Sequence, residues 1–267
     1  MIRILFIGDI IGKPGREAVS ALLPGLIKEK EITFTIANGE NTAGGFGITP
    51  DMFRKLDSYG IDAVTTGNHI RDKREIFPFL ALEPRLLRPH NLPPGNSGTG
   101  IGVYEIQKGS RSISIGVLNL SGRIFMDPLN DDPFRTADKA LGELKDRAKI
   151  IFVDFHAEAT SEKYALACYL DGRITAFAGT HTHVQTADEK ILGKGTGYIT
   201  DAGMTGPFDS VIGVKKEMVI KRFLTGHSEK FETAKGLVRF NGIIYTIDEE
   251  SGKTTGVERL DIAYDKE

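Results

Sequence analysis

The 267-residue chain carries 34 basic and 36 acidic side chains, 40% hydrophobic residues and one cysteine. That is apolar material for one large core, while the near-balanced charge excludes a broad polyanion-binding face and the lone cysteine excludes an intramolecular disulfide framework. No apolar run approaches membrane-spanning length and no basic leader precedes the first apolar segment, so the expected setting is the cytoplasm.

Residues 2–7 are the first predicted strand, an apolar run that ends at Gly8-Asp9. A helix is predicted over 14–30, with a kink expected at Pro24. Strand 32–37 then runs into Asn38-Gly39-Glu40-Asn41. Thr49-Pro50-Asp51 supplies an N-cap, a first-turn proline and an early acid, and Gly60 stops that helix after Tyr59. Strand 61–65 leads to Gly67-Asn68-His69, which makes the first half β-α-β-α-β. The Pro/Gly-rich stretch 88–102 reads as a surface excursion, and a small lid or cap around 78–102 is expected within a single domain spanning 1–267. Strand 112–120, helix 133–145, strand 149–155 and helix 160–170 follow, the last containing Cys168, expected to be a buried and inert thiol. Hairpins are predicted around 106–113, 191–199 and 236–264, so the sheet should be mixed.

Chemistry-bearing residues cluster where the apolar runs end: Asp9, Asn38 to Asn41, Asn68-His69, Asp154 to His156, and then His181-Thr182-His183. The carboxyl ends of neighbouring parallel strands converge on one crevice, which lets residues distant in sequence build one site. Carboxylate, imidazole and amide oxygen form a mixed N/O donor set that suits iron or manganese, with zinc or magnesium as alternatives. Two ions need a bridging ligand, and Glu40 can give one oxygen to each. His181-x-His183 would put both imidazoles on one face if its backbone is extended. Each cluster alone also fits an ordinary turn or cap, whereas His90 and His227, without such company, read as surface residues. Gly8 to Pro14 lacks the spacing of a P-loop, and no nucleophile elbow is present.

The order of these motifs, with Gly67-Asn68-His69 and His181-Thr182-His183 matching most closely, resembles the calcineurin-like metallophosphoesterase superfamily. Asp9 lacks the usual x-His partner and Glu40 replaces the usual bridging Asp. Together with Ile4 to Arg16, Gly122 to Met126 and Thr200 to Pro207, those departures make the chain similar to the bacterial YmdB-type phosphodiesterases. The resemblance implies a four-layer α/β/β/α sandwich with mixed sheets, two metal ions, and hydrolysis of 2′,3′-cyclic AMP at the 2′ bond to 3′-AMP by a metal-bridged hydroxide. It further implies one ion on Asp9, Glu40, Asn41 and His183 and the other on Glu40, Asn68, His156 and His181. His69 is the expected general acid, and Thr42, Phe46 and Arg123 are expected substrate contacts. Other readings stay open: a non-enzymatic nucleotide or RNA sensor, a phosphomonoesterase or nuclease on the same scaffold, and a homo-oligomer.

Overall fold

The computed structural model describes residues 1–127, 129–227 and 230–265. The chain runs β1 (Ile2–Ile7), β2 (Asp9–Ile10), α1 (Gly12–Glu29), β3 (Phe34–Asn38), α2 (Pro50–Ser58) and β4 (Ala63–Thr65), then a 3-10 turn at Asn68–Arg71 and the short helix α3 (Ile76–Leu80). Next come β5 (Ile101–Lys108), β6 (Arg111–Ser121), α4 (Pro133–Leu144), β7 (Ile150–His156), α5 (Thr160–Leu170) and β8 (Ala176–Thr180). The remainder is β9 (Lys190–Ile191), β10 (Gly197–Ile199), β11 (Met204–Pro207), α6 (Lys216–Thr225), β12 (Val238–Ile247) and β13 (Thr254–Tyr264).

The first sheet has the order β2-β11-β12-β1-β3-β4, with β13 on the far edge of β12. Within it β1, β3 and β4 are parallel, and β12 runs antiparallel to β1. The second sheet has the order β5-β6-β7-β8-β10-β9, parallel from β6 through β10 and closed by an antiparallel strand at either edge.

Alternation along the strands builds the layers. Ile2, Ile4 and Phe6 of β1 point toward the second sheet and meet Ile115, Val117, Ile150 and Phe152, whereas Leu5 and Ile7 point the other way, onto Val19 and Leu23 of α1 and Leu56 of α2. Ile151, Val153 and Phe155 of β7 face outward onto Ala140 and Leu144 of α4 and Leu166 and Leu170 of α5. Helices therefore cover both outer faces of two packed sheets, the four-layer α/β/β/α sandwich. The cap of α2 is as the residues dictate, with the Thr49 hydroxyl accepting from the Met52 amide.

Several local expectations need correction. Helix α1 begins at Gly12 and runs on through Pro24, which lies on its exposed side. Cys168 is exposed, because the buried stripe of α5 is Lys163, Leu166, Ala167 and Leu170 and position 168 falls outside it. His90 is only half exposed: its amide donates to the Asn119 carbonyl, which ties it to β6, while His227 is exposed. Within 78–102, Leu86 and Leu87 are fully buried, and Leu86 bridges to Val64 alongside β4.

Phe152 packs between Phe6 (centroids 4.9 Å apart) and Tyr245 (6.0 Å), where the two sheets meet. Phe152→Ala is expected to destabilise the fold by about 3–5 kcal/mol through lost burial and an unfilled cavity. A denaturant midpoint that moves by less than the equivalent of ~1 kcal/mol would show that this contact does not hold the sheets together.

Candidate metal centre

The carboxyl ends of β1, β3 and β4 in one sheet and of β7 and β8 in the other open onto the same edge of the sandwich. Asp9 follows β1, Glu40 and Asn41 follow β3, Asn68 and His69 follow β4, His156 ends β7, and His181 and His183 follow β8. Asp9, Glu40 and His156 are fully buried and Asn41 nearly so. Gly67 is needed for space: a Cβ there would lie 2.2 Å from the His156 ring.

Two groups of donors result, with Glu40 between them. On one side Glu40 Oε1 and Asn68 Oδ1 lie 3.1 and 2.9 Å from His156 Nε2, and His181 Nδ1 lies 3.1 Å from the same nitrogen. On the other side His183 Nε2 is 3.3 Å from Asn41 Nδ2 and 3.8 Å from Asp9 Oδ1. Asp9 Oδ1 and Asn41 Oδ1 are buried and have no hydrogen-bond partner. Orphaned acceptors beside converging lone pairs are costly in a protein interior unless a cation meets them. The donor set therefore fits metal, and Glu40, His156 and His181 offer ligand atoms close enough together to share one ion.

Surrounding residues fix the imidazoles. Asp154 Oδ1 accepts from the Thr180 hydroxyl at 2.8 Å, and Thr180 Oγ1 lies 2.9 Å from His156 Nδ1. With that hydroxyl given to Asp154, its oxygen takes the Nδ1 proton, so Nε2 is the nitrogen that faces the site and the one that would give up its proton to hold a metal. Asn38 and Thr65 also donate to Asp154. His183 Nδ1 donates to the Ile212 carbonyl at 2.8 Å, which likewise turns Nε2 inward. The backbone at His181 and His183 is not extended: φ is +99° and +64°, left-handed values that non-glycine residues adopt at a cost.

A pocket of about 260 Å³ opens over these groups, lined among others by Glu40, Asn41, Phe46, His69, Glu158, His181 and His183. His69 sits edge-on to Phe46, with centroids 5.0 Å apart, and its Nδ1 is 2.8 Å from Asp72 Oδ2. Thr42 is buried behind the pocket, its hydroxyl spent on the Gly39 carbonyl and its own carbonyl on Arg16. Arg123 lines a separate depression, with its guanidinium 3.9 Å from Asp132. Sequence reasoning passed over Asp72, Glu158 and Thr180. The first two could have been found as acids three and two residues after a site histidine, whereas a threonine at a strand end carries no such signal.

A family model described as YmdB-like protein matches residues 5–260. The chain belongs to the YmdB-like family. A Bacillus subtilis relative named 2′,3′-cyclic-nucleotide 2′-phosphodiesterase is 49% identical, the match covering 97% of this chain and 96% of that protein. A crystal structure of a hypothetical protein from Thermus thermophilus superposes with a TM-score of 0.90 at 43% identity, covering 98% of this chain and 99% of the other. A Mycoplasma pneumoniae structure described as a novel phosphatase gives 0.91 at 35% identity, covering 98% and 93%.

Electrostatics in this YmdB-like site are dominated by burial and by opposed charges. Burial alone would push the Glu40 carboxyl up, but the His156 imidazole and the His69 amide outweigh it and hold it at about 2. His156 is pulled down by burial and pushed up further by Glu40, Asp9 and Asp154, to about 9. Burial raises Asp9, and it raises Asp154 to about 7; His181 falls to about 3, through burial first and His156 second. The charge of His156 thus stabilises metal-free protein fully below pH 6.5, and that contribution is lost as pH rises through about 9. Ionising Asp154 costs stability on the way up to about 7, in the same direction. Chelator-stripped protein is expected to melt at progressively lower temperature from pH 6.5 to 9, and a melting temperature that climbs over that interval would contradict this charge assignment.

Proposed function

We propose that this chain is a cytoplasmic phosphodiesterase that opens 2′,3′-cyclic nucleotides, 2′,3′-cyclic AMP foremost, at the 2′ oxygen to release the 3′-phosphate, using two divalent ions, iron or manganese. The observation that carries the reading is Glu40, fully buried between two donor groups whose Asp9 and Asn41 oxygens lack partners. The name of the Bacillus subtilis relative supports the substrate class and the choice of bond. When bound, two such cations would supply Lewis acidity for the phosphoryl oxygens and lower the pKa of water toward neutrality.

The residues of the chain do the remaining work. His69 lies at the pocket wall with Nδ1 held by Asp72, so Nε2 is the nitrogen left to deliver a proton to the departing 2′ oxygen as the P–O2′ bond breaks. The backbone amide of His69 donates to Glu40 Oε2 at 3.0 Å, which locks the acid in register with the donor groups. Phe46 offers an aromatic face for a base. Glu158 at the pocket rim adds a negative charge that a monoanionic cyclic diester tolerates better than a dianionic monoester does. A phosphomonoesterase reading has its own support in the description of the Mycoplasma pneumoniae structure.

Products formed from 2′,3′-cyclic AMP by metal-loaded protein, separated against authentic 2′-AMP and 3′-AMP, are expected to be almost entirely 3′-AMP. Dominant 2′-AMP would mean that the substrate lies reversed relative to His69. Turnover of simple monoesters exceeding that of the cyclic diester would favour the phosphomonoesterase.

His69→Ala is expected to retain metal and to slow the cyclic diester by about 10²–10⁴-fold, while a nitrophenolate ester, whose leaving group needs no proton, loses far less. Equal losses on both substrates would remove His69 from the role of acid.

A further inference from the structure

Helix α5 buries a lysine. Lys163 is 1% exposed, and its Nζ lies 2.7 Å from Oδ2 of the fully buried Asp201, which stands between β10 and β11. Its stem crosses β8 at Gly179, where a Cβ would come within 2.8 Å of Lys163 Cδ and 1.9 Å of the Thr200 carbonyl oxygen. The glycine leaves the passage through which the ammonium reaches Asp201.

Asp201 uses its remaining lone pairs on the turn that presents the two histidines. Oδ2 accepts from both the amide (3.2 Å) and the hydroxyl (2.7 Å) of Thr182, and Oδ1 accepts from the Gly203 amide at 2.8 Å. Thr186 closes the other end: its hydroxyl receives the Asp201 amide at 3.0 Å, and its own amide donates to the Asp201 carbonyl at 3.1 Å. His181 and His183, on either side of Thr182, both have left-handed φ. Such a turn needs an external restraint, because each left-handed non-glycine residue relaxes readily once it is free. Neither Lys163 nor Asp201 lines the pocket, and the hydrogen bonds that join the pair to the histidine turn are those to Thr182.

We infer that Lys163 and Asp201 are a positioning pair that holds Thr182, and through it the His181–His183 turn, in metal-binding geometry. The physical case rests on what a buried ion pair does and does not contribute. Desolvating both charges cancels most of their attraction, so exchanging the pair for neutral groups of similar size leaves stability little changed, whereas removing one partner strands a charge. What the pair supplies is direction: a carboxylate fixed by a lysine receives the Thr182 amide and hydroxyl at one angle only. The residues that orient metal ligands from behind typically govern affinity by about 10–100-fold.

The inference rests on the metal-binding reading of the site, and its test separates the two. Parental protein, Lys163→Met/Asp201→Asn and Thr182→Val are stripped with chelator, checked by thermal melting, and titrated with Mn²⁺ alone, reading stoichiometry and affinity. The double variant is expected to melt within a few degrees of the parent yet bind Mn²⁺ about 10–100-fold more weakly. Thr182→Val, which loses only the hydroxyl contact, is expected to show a smaller loss in the same direction. A folded double variant with parental stoichiometry and affinity overturns the inference. So does a double variant that fails to fold beside a Thr182→Val protein with parental affinity. Parental protein that takes up no Mn²⁺ overturns the metal reading itself, and the positioning role with it.

Discussion

Two buried carboxylates, three imidazoles and two amides are turned toward one another at the edge of the sandwich, and without positive charge that arrangement is unstable. Asp9 Oδ1 and Asn41 Oδ1 have no partner, and three groups crowd one nitrogen of His156. In metal-free protein the deficit is covered in part by His156 itself, whose imidazole is pushed up to about 9 beside a Glu40 held at about 2. The need to gather these groups at one point explains features that otherwise look unrelated: the missing side chain at Gly67, the left-handed backbone at His181 and His183, and the polar residues Thr180, Asp154 and Asn38 inside an apolar sandwich.

Behind the donors stands a layer of groups whose only evident task is to aim them. Asp154 and Thr180 set the tautomer of His156, the Ile212 carbonyl sets that of His183, and Asp72 holds His69. Thr180, the Ile212 carbonyl and Asp72 are each within hydrogen-bond distance of a ring nitrogen, and Asp154 acts on His156 through Thr180. At Asp154 and Thr180 the chain thus devotes buried polarity, expensive in any core, to orientation.

Much of this was legible in the sequence for a simple reason. Strands buried on both faces, such as β1, β3 and β7, read as short apolar runs, and the polar residues that interrupt them mark the strand ends where a site forms. The motif order also pointed to the four-layer sandwich. The backbone of His181–His183 was not legible, because its left-handed turn is imposed by the Asp9 and Asp201 carboxylates on the amides of His181 and Thr182, contacts 172 and 19 residues away in sequence. Lys163 gave no local signal, since a lysine on an amphipathic helix ordinarily faces water, and only the gap at Gly179 brings it inside. Cys168 failed for a related reason: an apolar stretch says that a helix is buried on one side, and the phase decides which residues lie there.

The donors come from both sheets, Asp9, Glu40, Asn41 and Asn68 from one and His156, His181 and His183 from the other. Asn68 meets His156 across 88 residues of chain, and Asn41 meets His183 across 142. Bridging such pairs with a bound ion has the topology of a cross-link: it closes loops that the unfolded chain would otherwise explore, on top of the ordinary gain from a ligand that binds only the folded state. With metal bound there, that edge of the sandwich would also be its clasp, and losing the metal would loosen the grip of one half of the molecule on the other.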